Sequence, residues 1–248
     1  MLSIREVERR VPGVRALILG LFGALITLGT AGPGRAAAGA AASALPAAQL
    51  SASHRAVSHG AGATSPAARR LATWRALLRD GRALSESAKL ERVNRFFNRL
   101  RFVADAAAGG SADHWATPRE VLLRDGGDCE DFALAKYFTL RALGVAAKRL
   151  RLTYVRSLGR NQAHMVLTYY RHDSASSGAG VLVLDNLEAD ILPLSRRSDL
   201  LPVYSFNSRG LWLAGRHGLG RRVGGVERLS RWQDLIRRMH REASPVAF

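Results

Sequence analysis

One thiol stands among three carboxylates. Residues 126–131 read GGDCED, and Cys129 is the only cysteine in the chain. A nucleophilic thiol needs a base within hydrogen-bond reach, and that base needs a group to orient it. Downstream, HMVLTYY (164–170) opens on His164 and VLVLDNL (181–187) carries Asp185, so the chain order is Cys, His, Asp. The neighbours Asp128, Glu130 and Asp131 work against that chemistry, because negative charge disfavours the thiolate. Two plainer readings stand beside it. Cys129 would be a small buried hydrophobe, and the acidic residues an ordinary helix cap that suits the dipole.

The elements that must position these residues are legible around them. LATWRALLRDGRAL places Leu71, Trp74, Leu77 and Leu78 at helical spacing, and KLERVNRFFNRLRFV repeats the pattern with Leu90, Val93, Phe97 and Leu100. GGSADHWATPRE reads as a loop, with Pro118 at the first turn of a short helix. Gly126 and Gly127 break that helix, and Asp128 then caps a new one, with Asp131 three residues on in the manner of a capping box. Ala133, Leu134, Ala135, Phe138 and Leu143 are its candidates for burial, and Gly144 its stop signal. Cys129 therefore falls in a first helical turn, where the macrodipole favours a thiolate. Strands are expected over 150–155, 164–170 and 181–187, the last two joined by the turn-rich RHDSASSGAG as an antiparallel hairpin. Helices first and strands afterwards predict an α+β domain with the Cys helix packed on an antiparallel sheet. If the second and third strands are neighbours, His164 and Asp185 share a face.

Composition sets the setting. The net charge is +17, almost all of it arginine, since only Lys89, Lys136 and Lys148 are lysines. Such a balance raises nucleic acid or an anionic surface as partners, or simply solvated arginine faces. Near the start, Arg5, Arg9, Arg10 and Arg15 precede the apolar run Ala16 to Leu28 and then small residues with several A-x-A sites. That is the three-part pattern of a secretory signal, and the run is short for a membrane span, although an uncleaved signal anchor is the alternative. The boundaries expected are a signal peptide over 1–38, an Ala/Gly/Ser-rich linker over 39–70, a domain over 71–212 and a basic tail over 213–248. Export argues against nucleic acid, and it makes an odd cysteine a reactive thiol or an intermolecular bridge.

GDCEDFALAKYFTLRALGV, AHMVLTYY, LVLDNL and DLLPVYSFNSRGLW, with VNRFFN and DHWATPRE upstream, resemble the bacterial transglutaminase-like cysteine proteases of the LapG type. The likeness runs from about Leu71 to Trp212. It implies a papain/transglutaminase-like fold and a periplasmic, calcium-dependent endopeptidase. Such an enzyme cuts the N-terminal region of a large surface adhesin beside a di-alanine, which disperses biofilm, and an inner-membrane cyclic di-GMP receptor sequesters it. By position, Cys129 matches the nucleophile, His164 the general base and Asp185 its orienting residue, while Asp128, Glu130 and Asp131 match the acidic cluster associated with calcium (Ca2+). The backbone N–H of Cys129 and, by analogy with transglutaminases, the indole of Trp115 are the candidate oxyanion donors; Trp115 could equally be a packing aromatic.

In the basic tail, Trp232, Leu235, Ile236 and Met239 fall at helical spacing. That stripe would pack on its own domain, lie on an anionic membrane surface or dock on a partner. Two other functions fit the same residues: a transglutaminase-type thiol acyltransferase, in which an amine intercepts the acyl-enzyme, and a non-catalytic basic module of the cell envelope.

Overall fold

The computed structural model describes residues 65–103, 114–171, 180–214 and 220–242. The expected signal peptide and nearly all of the expected linker lie outside them. No helix among the described residues is long and apolar enough to cross a membrane.

The first helix, α1, spans Pro66–Asp80 and is capped by Ser65, whose hydroxyl accepts from the Ala68 N–H at 3.1 Å. It starts five residues before the expected Leu71 because Ser65 caps it and Pro66 suits the first turn. A second helix, α2 (Glu86–Phe97), is capped by Ser85 and buries Leu90, Val93, Asn94 and Phe97. The short strand β1 (Arg101–Phe102) leads to helix α3 (Pro118–Arg124) and strand β2 (Gly126–Gly127), which pairs with β1 in parallel. Gly126 has φ 156°, and a Cβ there would meet the Arg101 carbonyl oxygen at 2.1 Å, so only glycine allows the approach. Helix α4 then runs over Cys129–Ala142 and buries its residues 130–140 without a break. It ends on a Schellman motif: the Gly144 N–H bonds the Arg141 carbonyl and the Val145 N–H bonds that of Leu140, with Gly144 at φ 89°.

Seven strands form one antiparallel sheet: β3 (Leu150–Ser157), β4 (Gln162–Tyr170), β5 (Val181–Leu184), β6 (Leu192–Pro193), β7 (Leu200–Asn207), β8 (Gly210–Leu213) and β9 (Arg221–Gly224). Their spatial order is β6-β5-β4-β3-β7-β8-β9. The expected hairpin is present, with Leu167 opposite Leu184 and Tyr170 opposite Val181. Helix α4 lies on β3 and β4, and Leu152, Tyr154, Met165, Leu167 and Leu184 join its apolar side chains in one core. A smaller cluster of Val155, Val166, Val183 and Leu200 covers the other face.

The domain does not stop at Trp212. Strands β8 and β9 extend the sheet, and a last helix, α5 (Ser230–Arg241), buries Trp232, Leu235 and Met239. Trp232 stacks on Phe138 at 5.4 Å and meets Tyr137 and Phe206 edge-on. The apolar stripe of the basic tail therefore faces its own core, because aromatic partners on α4 and β7 give it more burial than solvent would.

Candidate active site

Four segments converge at the N-terminus of α4. Asp128 caps the helix, accepting from the Asp131 N–H at 3.1 Å. The expected capping box is only half made there, because the Asp131 carboxylate turns away and accepts from the Ala116 N–H at 2.7 Å. A full capping box stands one helix earlier, where Thr117 and Glu120 bond reciprocally at the start of α3. Gly127 makes room for the turned carboxylate, since a Cβ there would lie 2.5 Å from Asp131 Oδ2.

On the sheet side, His164 and Asp185 meet. The two strands bring them to one place, with His164 Nε2 2.7 Å from Asp185 Oδ1 and the carboxyl fully buried. Burial alone would push the Asp185 carboxyl up, but bonds from His164, Leu187 and Arg197 hold it well below the usual carboxylate range. It is therefore an acceptor only, so Nε2 carries the imidazole proton and Nδ1 is the free base. Helix α2 fixes the segment after β5 from outside: the Asn98 side chain donates to the Asp185 and Glu188 carbonyls at 2.8 and 3.2 Å, and Asn94 donates to that of Ala189. An open recess of about 320 Å³ beside the pair is lined by His164, Asp185, Arg160, Arg197, Leu187 and Ser157, among others.

Cys129 sits against the same strand, its sulfur next to the Met165 backbone N–H, which favours the thiolate. The other influences oppose it. Burial pushes the thiol up, and the charge and hydrogen bond of Glu130 and the charge of Asp128 push it further. The thiol donates to Glu130 Oε2 at 2.8 Å, and not to His164. The structure thus joins His164 and Asp185 directly, and brings Cys129 to the adjoining backbone position.

Trp115 is buried, stacked on Phe206 at 5.6 Å, and its indole Nε1 has no hydrogen-bond partner. Its carbonyl accepts from Arg238 of α5, whose guanidinium also holds Glu120 at 2.6 Å and Asp234 at 2.9 Å. Of the three acidic residues, Asp128 is on its helix, Asp131 on Ala116 and Glu130 on the thiol. Among the described residues no three His, Cys, Asp or Glu side chains converge as a metal-binding group.

Sequence reasoning missed Arg197, Asn98 and Tyr154. Arg197 donates to Asp185 Oδ2 at 2.9 Å, and it was hidden among the chain's many arginines. Tyr154 on β3 buries an unpartnered hydroxyl, and burial together with the nearby charges of Glu130 and Cys129 pushes it up to about 12. Lys136, two turns along α4 from Cys129, is fully buried, and desolvation lowers its amine to about 7.

A helix N-terminus bearing a cysteine, set on an antiparallel sheet that supplies a His–Asp pair, defines a transglutaminase-like cysteine protease fold. The chain belongs to the family described as bacterial transglutaminase-like cysteine proteinase (BTLCP), which matches residues 79–211. It is similar to solved structures of Legionella pneumophila LapG. One is 43% identical at a TM-score of 0.62, over 71% of this chain and 91% of the other. An EGTA-treated form is 44% identical at 0.63, over 71% and 91%. A calcium-bound form is 42% identical at 0.61, over 71% and 93%. No match is found among curated proteins.

Proposed function

We propose that this chain is a calcium-dependent, periplasmic cysteine endopeptidase that cleaves the N-terminal region of a large surface adhesin, at a di-alanine site, and so disperses biofilm. The observation that carries the catalytic reading is the buried His164–Asp185 pair, 2.7 Å apart, on the strand that touches the Cys129 sulfur. Asp185 keeps the proton on Nε2, so Nδ1 is the atom that takes the thiol proton as Cys129 exchanges Glu130 for His164. The sulfur then attacks the scissile carbonyl carbon, and the oxyanion is met by the Cys129 N–H at the helix start and by the orphaned indole N–H of Trp115. His164 returns its proton to the leaving amine, and water hydrolyses the thioester by the same route.

The residue types suit a hard cation, although the three carboxylates are turned to different partners and do not converge among the described residues. Glu130 is 8% exposed and has no cationic side chain on it among the described residues, and three carboxylates within four residues supply the oxygen ligands that calcium prefers. Asp128, Glu130 and Asp131 would hold the ion, which would supply positive charge beside the thiol and offset the carboxylates. The LapG relatives solved in calcium-bound and EGTA-treated forms support a role for calcium. The basic, apolar leader supports export to the periplasm, and control by an inner-membrane cyclic di-GMP receptor follows from the family resemblance.

The test is mass spectrometry of surface-protein fragments incubated with wild-type, Cys129→Ala and His164→Ala protein. Defined cleavage by the wild type alone is expected, lost in excess EGTA and restored by calcium better than by magnesium. Cleavage by the Cys129→Ala protein would remove the nucleophile assignment. A cross-linked amine adduct without cleavage would favour an acyltransferase instead.

A further inference from the structure

We propose that Arg197 is a positioning residue for this reaction: it holds Asp185 as a carboxylate in the orientation that keeps the His164 proton on Nε2. The inference rests on the cysteine-protease reading of the site. The two oxygens of Asp185 have separate partners. Oδ1 accepts from His164 Nε2 at 2.7 Å and from the Leu187 N–H at 3.0 Å, while Oδ2 accepts from Arg197 Nη2 at 2.9 Å. Arg197 is itself clamped, since its Nε and Nη2 donate to the two oxygens of Asp199 at 2.9 and 2.8 Å. The result is a row of alternating donors and acceptors, His164–Asp185–Arg197–Asp199, that starts in the core and ends at a half-exposed carboxylate. A separate element delivers the guanidinium: β6 and the 3-10 turn Leu194–Arg196 bring Arg197 back beside Asp185.

The arrangement decides where a proton sits. Without Arg197, Oδ2 loses this donor and the enclosed carboxylate is left with only the desolvated Lys136 amine nearby, so burial favours the acid form. A protonated Asp185 would donate to Nε2 and send the imidazole proton to Nδ1, the atom that must accept from the thiol. Neutralising a triad carboxylate has this effect in serine proteases, at a cost on the order of 10⁴ in turnover. Asp199 offsets the guanidinium, so that Arg197 orients Asp185 without cancelling its pull on the imidazolium. The planar fork matters too, because one guanidinium reaches both carboxylates in a fixed geometry that an ammonium does not reproduce.

The experiment measures kcat and KM on a cleavable surface-protein fragment for Arg197→Gln, Arg197→Lys and Asp199→Asn. It also records imidazole nitrogen NMR of labelled full-length protein, with the His164 signal assigned by comparison with His164→Gln. Arg197→Gln is expected to lower kcat about 10–100-fold, the size of loss that outer-shell partners of metal-bound histidines show, with KM nearly unchanged. It should also move His164 from the Nε2–H to the Nδ1–H form. Arg197→Lys should recover part of both, and Asp199→Asn should lose less than Arg197→Gln. Wild-type kcat in Arg197→Gln, or lost activity with the tautomer unmoved, overturns the proposal. If Arg197→Gln does not fold, the same two readouts in Arg197→Lys decide it. A wild-type protein that cleaves nothing defeats the protease reading, and the tautomer comparison then still decides the role of Arg197.

Discussion

His164 and Cys129 lie against the same strand, yet their surroundings are opposites. His164 stands at the head of a row in which every donor meets an acceptor: imidazole on Asp185, Arg197 on Asp185 and on Asp199. Cys129 stands at the head of a helix among carboxylates, bonded to one of them, while the loop bonded to Asp131 carries Trp115, whose Nε1 has no partner, and the nearby Tyr154 hydroxyl has none either. The sheet half is organised by the chain's own residues. The helix half gathers like charge and idle donors, which suits the cation and the oxyanion of the proposed function. On the proposed reading preorganisation is divided, with the orienting contacts finished in the fold and the activating charge left to a bound cation.

Perturbing each half should give different signatures. Asp185→Asn breaks the sheet half outright and should cost up to about 10⁴ in kcat by spoiling the tautomer, with binding of substrate little altered; steady-state kinetics measures it. Trp115→Phe keeps the stacking on Phe206 but removes the idle N–H, and should cost on the order of 10²–10³ in kcat. Wild-type turnover there would return Trp115 to a packing role.

Glu130→Gln reads the helix half directly. In excess chelator this variant should alkylate at Cys129 faster than wild type, about tenfold for each unit by which the thiol's pKa falls, because a negative neighbour and acceptor are gone. With calcium present the order should reverse, since the variant has lost a ligand. Equal rates in chelator would mean that Glu130 does not govern the thiol.

The smallest effect concerns acid stability. Despite burial, the carboxyls of Asp185 and Glu120 are held below their ordinary values, the latter by the Thr117 N–H, Arg238 and His114. Groups whose folded pKa is depressed stabilise the fold above the unfolded value, roughly pH 4, and that contribution fades as pH falls further. Urea unfolding midpoints should therefore drop below about pH 4, and Asp185→Asn should flatten part of the slope.

Much of the site could be read from residue types and spacing: the cap before Cys129, the neighbouring strands and the meeting of His164 with Asp185. The acidic cluster was legible as a group, but where each carboxylate points was not, because Asp131's choice of the Ala116 N–H depends on a loop brought in from α3. Strands β6 to β9 escaped the pattern for local reasons. Pro202 interrupts β7 at the bulge where it faces Val155, and β6 is only two residues long. Arg197 escaped because nothing local marks an arginine that will be buried.

The clamp on the Trp115 carbonyl comes from Arg238, 123 residues further along the chain. A chain made from its N-terminus presents Cys129, His164 and Asp185 well before that arginine emerges. The loop carrying the indole gains its anchor only when α5 docks, and Thr117 is tied to Glu242 at 3.1 Å in the same step. Timing is thus written into the connectivity: the loop beside the start of α4 gains its anchors last, after the rest of the domain has been made.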